Sequence, residues 1–196
     1  MSRLVLIRHA PTAWNGERRL QGRTDVPLAD GSWEAVRRWR LPEGLADYSW
    51  YCSPLTRAMQ TAEILGLFCE IEPSIIEMSW GEWEGRKLTD IREKLGEAME
   101  RNESLGLDFR PPGGESPRDV QKRIRPWLVR VGRKESPSGA VTHRGIIRAL
   151  YALASGWDMK DKPPDKLRDA SAHFFEIDAD GNPTVERLNI GLEVAG

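Results

Sequence analysis

The 196-residue chain contains three histidines, and two of them, His9 and His143, directly follow short apolar runs, Leu4 to Ile7 and Ala140 to Thr142. Arg8 precedes the first, Arg144-Gly145 follows the second, and Arg57 opens a helical stretch after the turn Ser53-Pro54. A guanidinium offers a planar fork of donors matched to phosphate oxygens, and a helix start adds free N–H groups. A neutral imidazole beside a clamped phosphoryl group can attack phosphorus in line. An unperturbed histidine titrates near about 6.5, so it is substantially neutral at pH 7. Singly, each residue has a plainer reading: Arg8-His9 as a strand-end surface pair, Arg57 as a solvated helix residue, His143 as a hydrogen-bonded core histidine. A single crevice accounts for all four as an anion site equipped for phosphoryl transfer. No metal is expected, because the histidines lack i, i+4 spacing and no cysteine or aspartate cluster accompanies them.

The elements that must position these residues alternate in period. Leu4 to Ile7 has strand length and the continuous apolarity of a strand buried on both faces. Ser49 to Cys52 reads as a second strand, Cys69 to Glu72 as a weaker third, and Ala140 to Thr142 as another buried one. Between them Leu55, Met59, Ala62 and Leu65 fall on one helical face, as do Val120, Ile124, Trp127, Leu128 and Val131. The latter helix starts well, with Ser116 as N-cap, Pro117 at the first position and Asp119 in the first turn. Pro126 inside it is expected to introduce a kink. Ile146, Ile147, Leu150 and Tyr151 mark a helix after His143, and His173 to Ile177 with Thr184 to Leu188 reads as a closing hairpin. Leu105 to Gly114 reads as loop. The sum is an α/β fold, a mostly parallel sheet with helices on both faces, whose ligand crevice lies outside the carboxyl ends of the strands.

Composition sets the outer bounds. The length suits one domain, 1–196, and 39% hydrophobic with 30% charged residues excludes disorder and fibres. A net charge of -1 excludes a globally basic nucleic-acid binder. No apolar run is long enough to span a bilayer, the start of the chain is too short for a signal peptide, and Cys52 and Cys69 form no disulfide framework. A cytoplasmic protein, without nucleic-acid or membrane partners, is expected.

These residues also fall into a recognisable pattern. Leu6-Ile7-Arg8-His9-Ala10-Pro11-Thr12-Ala13-Trp14-Asn15 resembles the signature of the histidine phosphatase superfamily, in its phosphoglycerate-mutase-like branch. Ser53-Pro54-Leu55-Thr56-Arg57-Ala58 resembles its second motif, and Glu77 with Trp80-Gly81-Glu82-Trp83-Glu84-Gly85 its acid-bearing loop. Gly113-Gly114-Glu115-Ser116 and Thr142-His143-Arg144-Gly145 resemble the remaining two. The resemblance implies a three-layer α/β/α sandwich and a metal-independent phosphomonoester hydrolase without cofactor. Within it His9 would become phosphohistidine. Arg8, Arg57 and His143 would hold the phosphoryl oxygens, with Asn15 and Thr12 as further contacts. Glu77 would protonate the leaving oxygen and then activate water, which needs a carboxyl titrating above the usual range. Glu82 and Glu84 are nearby alternatives that motif register disfavours, and Glu115 reads as pocket architecture. A small phosphorylated metabolite is the expected partner, as for the α-ribazole and broad-specificity phosphatases that the chain resembles, with a phosphoprotein as the other option.

Three departures bear on function. Ala10 replaces the glycine commonest after the nucleophile, which requires a negative φ there. Arg144 replaces a small residue; it either lines the pocket mouth and favours substrates with extra negative charge, or points to solvent. The stretch between Glu77 and Glu115 is short and its basic residues scattered, which argues against the alternative activity of a phosphoglycerate mutase. A non-catalytic module binding phosphorylated ligands would be expected to have lost the nucleophile or the acid. Trp80 and Trp83 read as loop packing, and His173 as structural.

Overall fold

The computed structural model describes residues 1–192. In chain order it comprises β1 (Ser2–Arg8), α1 (Ala13–Gly16), α2 (Asp30–Arg37), β2 (Ser49–Cys52), α3 (Thr56–Ile64), β3 (Cys69–Ile71), α4 (Leu88–Leu95), α5 (Glu97–Glu103), α6 (Pro117–Gly132), β4 (Ser138–Thr142), α7 (Arg144–Ser155), β5 (Ser171–Ile177) and β6 (Pro183–Gly191). Alternation along β1 makes the layers. Leu4 and Leu6 point into a cluster with Val120, Ile124 and Trp127 of α6 and Ile146 and Leu150 of α7. Val5 and Ile7 point the other way, into a cluster with Val36 of α2 and Ala58 and Ala62 of α3. Side chains of period 2 therefore serve two helical layers at once, and β1 reads as an unbroken apolar run because neither face meets water.

The six strands lie in the order β3-β2-β4-β1-β5-β6. The first four are mutually parallel, and β5 and β6 close the sheet antiparallel, as the expected hairpin. The sheet order matters for the site. β1 and β4 pair with Arg8 opposite Thr142, so the residues that follow, His9 and His143, leave neighbouring strands side by side. β2 pairs with β4 on its other side, Cys52 opposite Val141, which brings Ser53 next to His143.

The helix starting at Ser116 has the expected cap, with Ser116 and Asp119 bonding reciprocally, and α6 continues through Pro126 as one element. The region read as loop contains a 3-10 turn, Gly106–Asp108, and the helices α2, α4 and α5 had no counterpart in the sequence reading. The last two carry only Ile91 and Met99 as buried residues, packed with Trp83 in a small cluster apart from the main core. No helix among the described residues is long and apolar enough to cross a membrane.

Candidate active site

A cavity of about 800 Å³ opens at the carboxyl ends of β1 and β4, and Arg8, His9, Asn15, Arg57, Glu77 and Arg144 all line it. His143 is not on the wall. It is fully buried against His9, with ring centroids 5.1 Å apart. Thr12 is also off the wall: its hydroxyl bonds the Asn15 side chain and accepts from the Asn15 N–H, a reciprocal cap on α1 that leaves it unavailable as a direct ligand. Ala10 adopts none of the positive φ values found in the chain, so the departure from glycine costs nothing there.

Hydrogen bonds orient the first imidazole. His9 Nδ1 lies 2.7 Å from the Ala10 carbonyl oxygen, which can only accept. The ring proton therefore sits on Nδ1, and Nε2 carries the free lone pair. Burial, then the charges of Arg8 and Arg57, hold the His9 pKa well below the ordinary histidine value, so the ring is neutral at pH 7. His143 is held neutral the same way, by burial first and by His9 and the arginines after it. Its Nε2 meets Ser53 Oγ at 2.6 Å, and that hydroxyl already accepts from the Leu55 N–H. That hydroxyl has a second lone pair and a proton, so it serves either tautomer of the ring.

Arg57 is wholly buried yet has no carboxylate partner among the described residues. Two of its nitrogens donate to the Thr24 and Gly22 carbonyls, at 2.9 and 2.7 Å. That loop is stapled by Glu84, which accepts from the N–H groups of Arg23, Thr24 and Trp80 and from the Thr24 hydroxyl. Glu84 therefore positions Arg57 rather than offering an acid. Arg8 is tethered through one nitrogen to Asp169.

Glu77 is buried, and burial raises its pKa against the opposing pull of the Met78 N–H, Arg57 and the Gly145 N–H. Its Oε1 accepts from Met78 N at 2.7 Å and its Oε2 from Gly145 N, in the first turn of α7, at 3.3 Å. The segment carrying it is pinned by Arg123, which donates to the carbonyls of Ser74, Ile76 and Glu77 and pairs with Glu115. Glu115 also accepts from Ser79 N and Arg23, so it is the architectural residue expected. Arg123 escaped the sequence reading because, on a helix, it looks like any solvated arginine. Trp80 lines the cavity, Trp83 is buried in the cluster beside it, and His173 bonds the Arg168 carbonyl and the Asn189 N–H. Among the described residues no group of three or more His, Cys, Asp or Glu side chains is gathered as for a metal ion.

Three of the buried side-chain nitrogens left without a partner are Arg8 Nε, Arg57 Nε and His143 Nδ1. Each such orphan costs about 1–3 kcal/mol. On the cavity wall itself, Arg8 and Arg57 flank the neutral His9, an arrangement suited to an oxyanion.

The family model of the histidine phosphatase superfamily, branch 1, matches residues 4–191. The chain belongs to that superfamily. It is 35% identical over 199 residues to a 2,3-bisphosphoglycerate-dependent phosphoglycerate mutase of Azorhizobium caulinodans, covering 94% of this chain and 96% of the relative. It is 31% identical over 169 residues to phosphoserine phosphatase 1 of Hydrogenobacter thermophilus, covering 81% and 79%. In fold it superposes on the mycobacterial glucosyl-3-phosphoglycerate phosphatase bound to inorganic phosphate, with a TM-score of 0.80 at 24% identity over the whole of both chains. The mutase match corrects one expectation. A relative of that name aligns along nearly its full length, so the short stretch between Glu77 and Glu115 does not by itself separate hydrolase from mutase.

Proposed function

We propose that this chain is a metal-independent phosphomonoester hydrolase working through a phosphohistidine on His9. The observation that carries the reading is a His9 whose free lone pair is on Nε2, in one cavity with Arg8, Arg57 and Glu77. In the first step Nε2 attacks phosphorus in line, the P–N bond forms, and the P–O bond to the alcohol breaks. Glu77, whose burial favours the protonated form, gives its proton to the leaving oxygen. In the second, Glu77 as carboxylate takes a proton from water, the water oxygen bonds phosphorus, and the P–N bond breaks to release phosphate. Arg8 and Arg57 neutralise the equatorial oxygens in both steps, with Asn15 beside them on the wall, and His143 backs His9 from behind. The phosphoserine phosphatase and the glucosyl-3-phosphoglycerate phosphatase named above support a small phosphorylated metabolite as the substrate class.

The relative named as a mutase supports a second reading, in which the phosphoryl group returns to a hydroxyl of the same substrate. Against it, three of the six basic residues between Glu77 and Glu115 are spent internally: Arg92 pairs with Glu103, Arg101 with Glu97 and Arg110 with Asp119. Phosphate release from a panel of phosphomonoesters, in EDTA and beside His9→Ala, tests the proposal. Turnover by the wild type alone is expected. Interconversion of 2- and 3-phosphoglycerate outpacing phosphate release would transfer the assignment to the mutase.

A further inference from the structure

We propose that the substrate carries a second anionic group on its alcohol half, received by Arg144 and Arg148 of α7. This rests on the phosphomonoesterase reading and adds the chemical class of the leaving group.

Both arginines line the same cavity as His9 and Glu77. They are four residues apart in one helix, hence neighbours on one face, where like charges repel. They also sit at the start of α7, the positive end of the helix dipole, and its first turn holds no acidic residue. Among the described residues no carboxylate lies within 4.0 Å of either guanidinium. Of the other cations on the wall, Arg8, Arg19, Arg92 and Lys160 each have an acidic partner and buried Arg57 is tied to carbonyls, while Arg18, among the described residues, likewise has none. Arg148 is moreover held in place, its guanidinium 4.9 Å from the centre of the Trp157 ring. Partial burial and the charge of Arg144 lower its pKa, so a bound anion would relieve a repulsion that the protein itself leaves standing.

The position selects the alcohol half. Arg144 adjoins Gly145, whose N–H binds Glu77, the acid that meets the leaving oxygen, and Arg148 lies one turn further along. Met78, Trp80, Phe109 and Met159 supply apolar wall in the same cavity, suited to the carbon skeleton between the two charges. The group received is a carboxylate or a second phosphate, both of which match a guanidinium fork.

Two matched substrate pairs test this: 4-carboxyphenyl against 4-carbamoylphenyl phosphate, and fructose 1,6-bisphosphate against fructose 1-phosphate. The quantity read is the ratio of kcat/KM, charged over neutral member, which is internal to each preparation and so insensitive to the fraction folded. We expect a ratio of about tenfold in the wild type for at least one pair, the pair telling carboxylate from phosphate. It should fall several-fold in Arg144→Ala and Arg148→Gln and drop below one in Arg144→Glu. Wild-type ratios under about threefold for both pairs, or ratios unchanged in all three variants, overturn the second-anion site while turnover of the neutral members keeps the hydrolase reading. Absence of turnover of all four compounds overturns the hydrolase reading and this inference with it.

Discussion

Replacing Gly145 by alanine should damage proton donation selectively. A Cβ built there would lie 2.3 Å from Glu77 Oε1, 3.1 Å from Met78 Cβ and 3.2 Å from Glu77 Cδ. Ordinary contact begins near 3.4 Å, so the carboxyl must give way by about 1 Å, and its bond from the Gly145 N–H goes with it. Displacement of a reacting group by that amount costs on the order of 100-fold in rate. The backbone is otherwise indifferent, since Gly145 does not have positive φ, and alanine favours the helix by up to about 1 kcal/mol. The effect should therefore appear in chemistry more than in stability. The assay is kcat/KM for an alkyl phosphate, whose poor leaving group needs the proton, against p-nitrophenyl phosphate, which needs it far less. A fall of about 100-fold on the first and within about tenfold on the second is expected, with a thermal midpoint close to the wild type. Equal losses on both substrates would refute Glu77 as the donor, and so would wild-type activity on the alkyl phosphate.

Ser53→Ala removes the partner of His143 Nε2 and leaves a buried ring nitrogen unpaired; a loss of about tenfold or more in kcat is expected, with partial recovery in Ser53→Thr, which keeps the hydroxyl. Stability should fall on acidification, because His9 and His143 titrate lower in the folded protein than in the unfolded chain. The unfolded state then binds more protons below about pH 6.5, so the contribution is complete above that value and is lost as pH falls towards the folded pKa. Glu77, raised by burial, acts in the opposite sense, so the useful quantity is the difference between wild type and His9→Asn. Between pH 7 and 5.5 in urea melts, the wild type should lose more than the variant, by at most about 1.3 kcal/mol, and parallel losses would contradict a buried neutral His9.

What the amino-acid sequence determined by itself is the frame and the positions of the residues proposed to react. Patterns of period 2 and 3.6 act over a few residues, so β1, β2, α3, α6, β4 and α7 were legible from Leu4 to Tyr151, and with them the positions of Arg8 at the end of β1, Arg57 at the start of α3, and His9 and His143 just past β1 and β4. The motif order likewise selected Glu77 over Glu84. The helices α2, α4 and α5 were not legible, since each is short and buries only one or two side chains. Tertiary structure alone decided what surrounds the residues proposed to react. Pairing of β4 between β1 and β2 puts Ser53, His143 and His9 in a row, although 90 residues separate Ser53 from its imidazole partner. It hides His143 behind His9, turns Thr12 into a cap, spends Glu84 on the loop that holds Arg57, and sets Arg123 against the backbone of Glu77. These are contacts between distant segments, fixed by sheet order and helix packing, and no local spacing encodes them. The unpaired state of Arg144 and Arg148 belongs with them, because a charge is unpaired only with respect to everything folded around it.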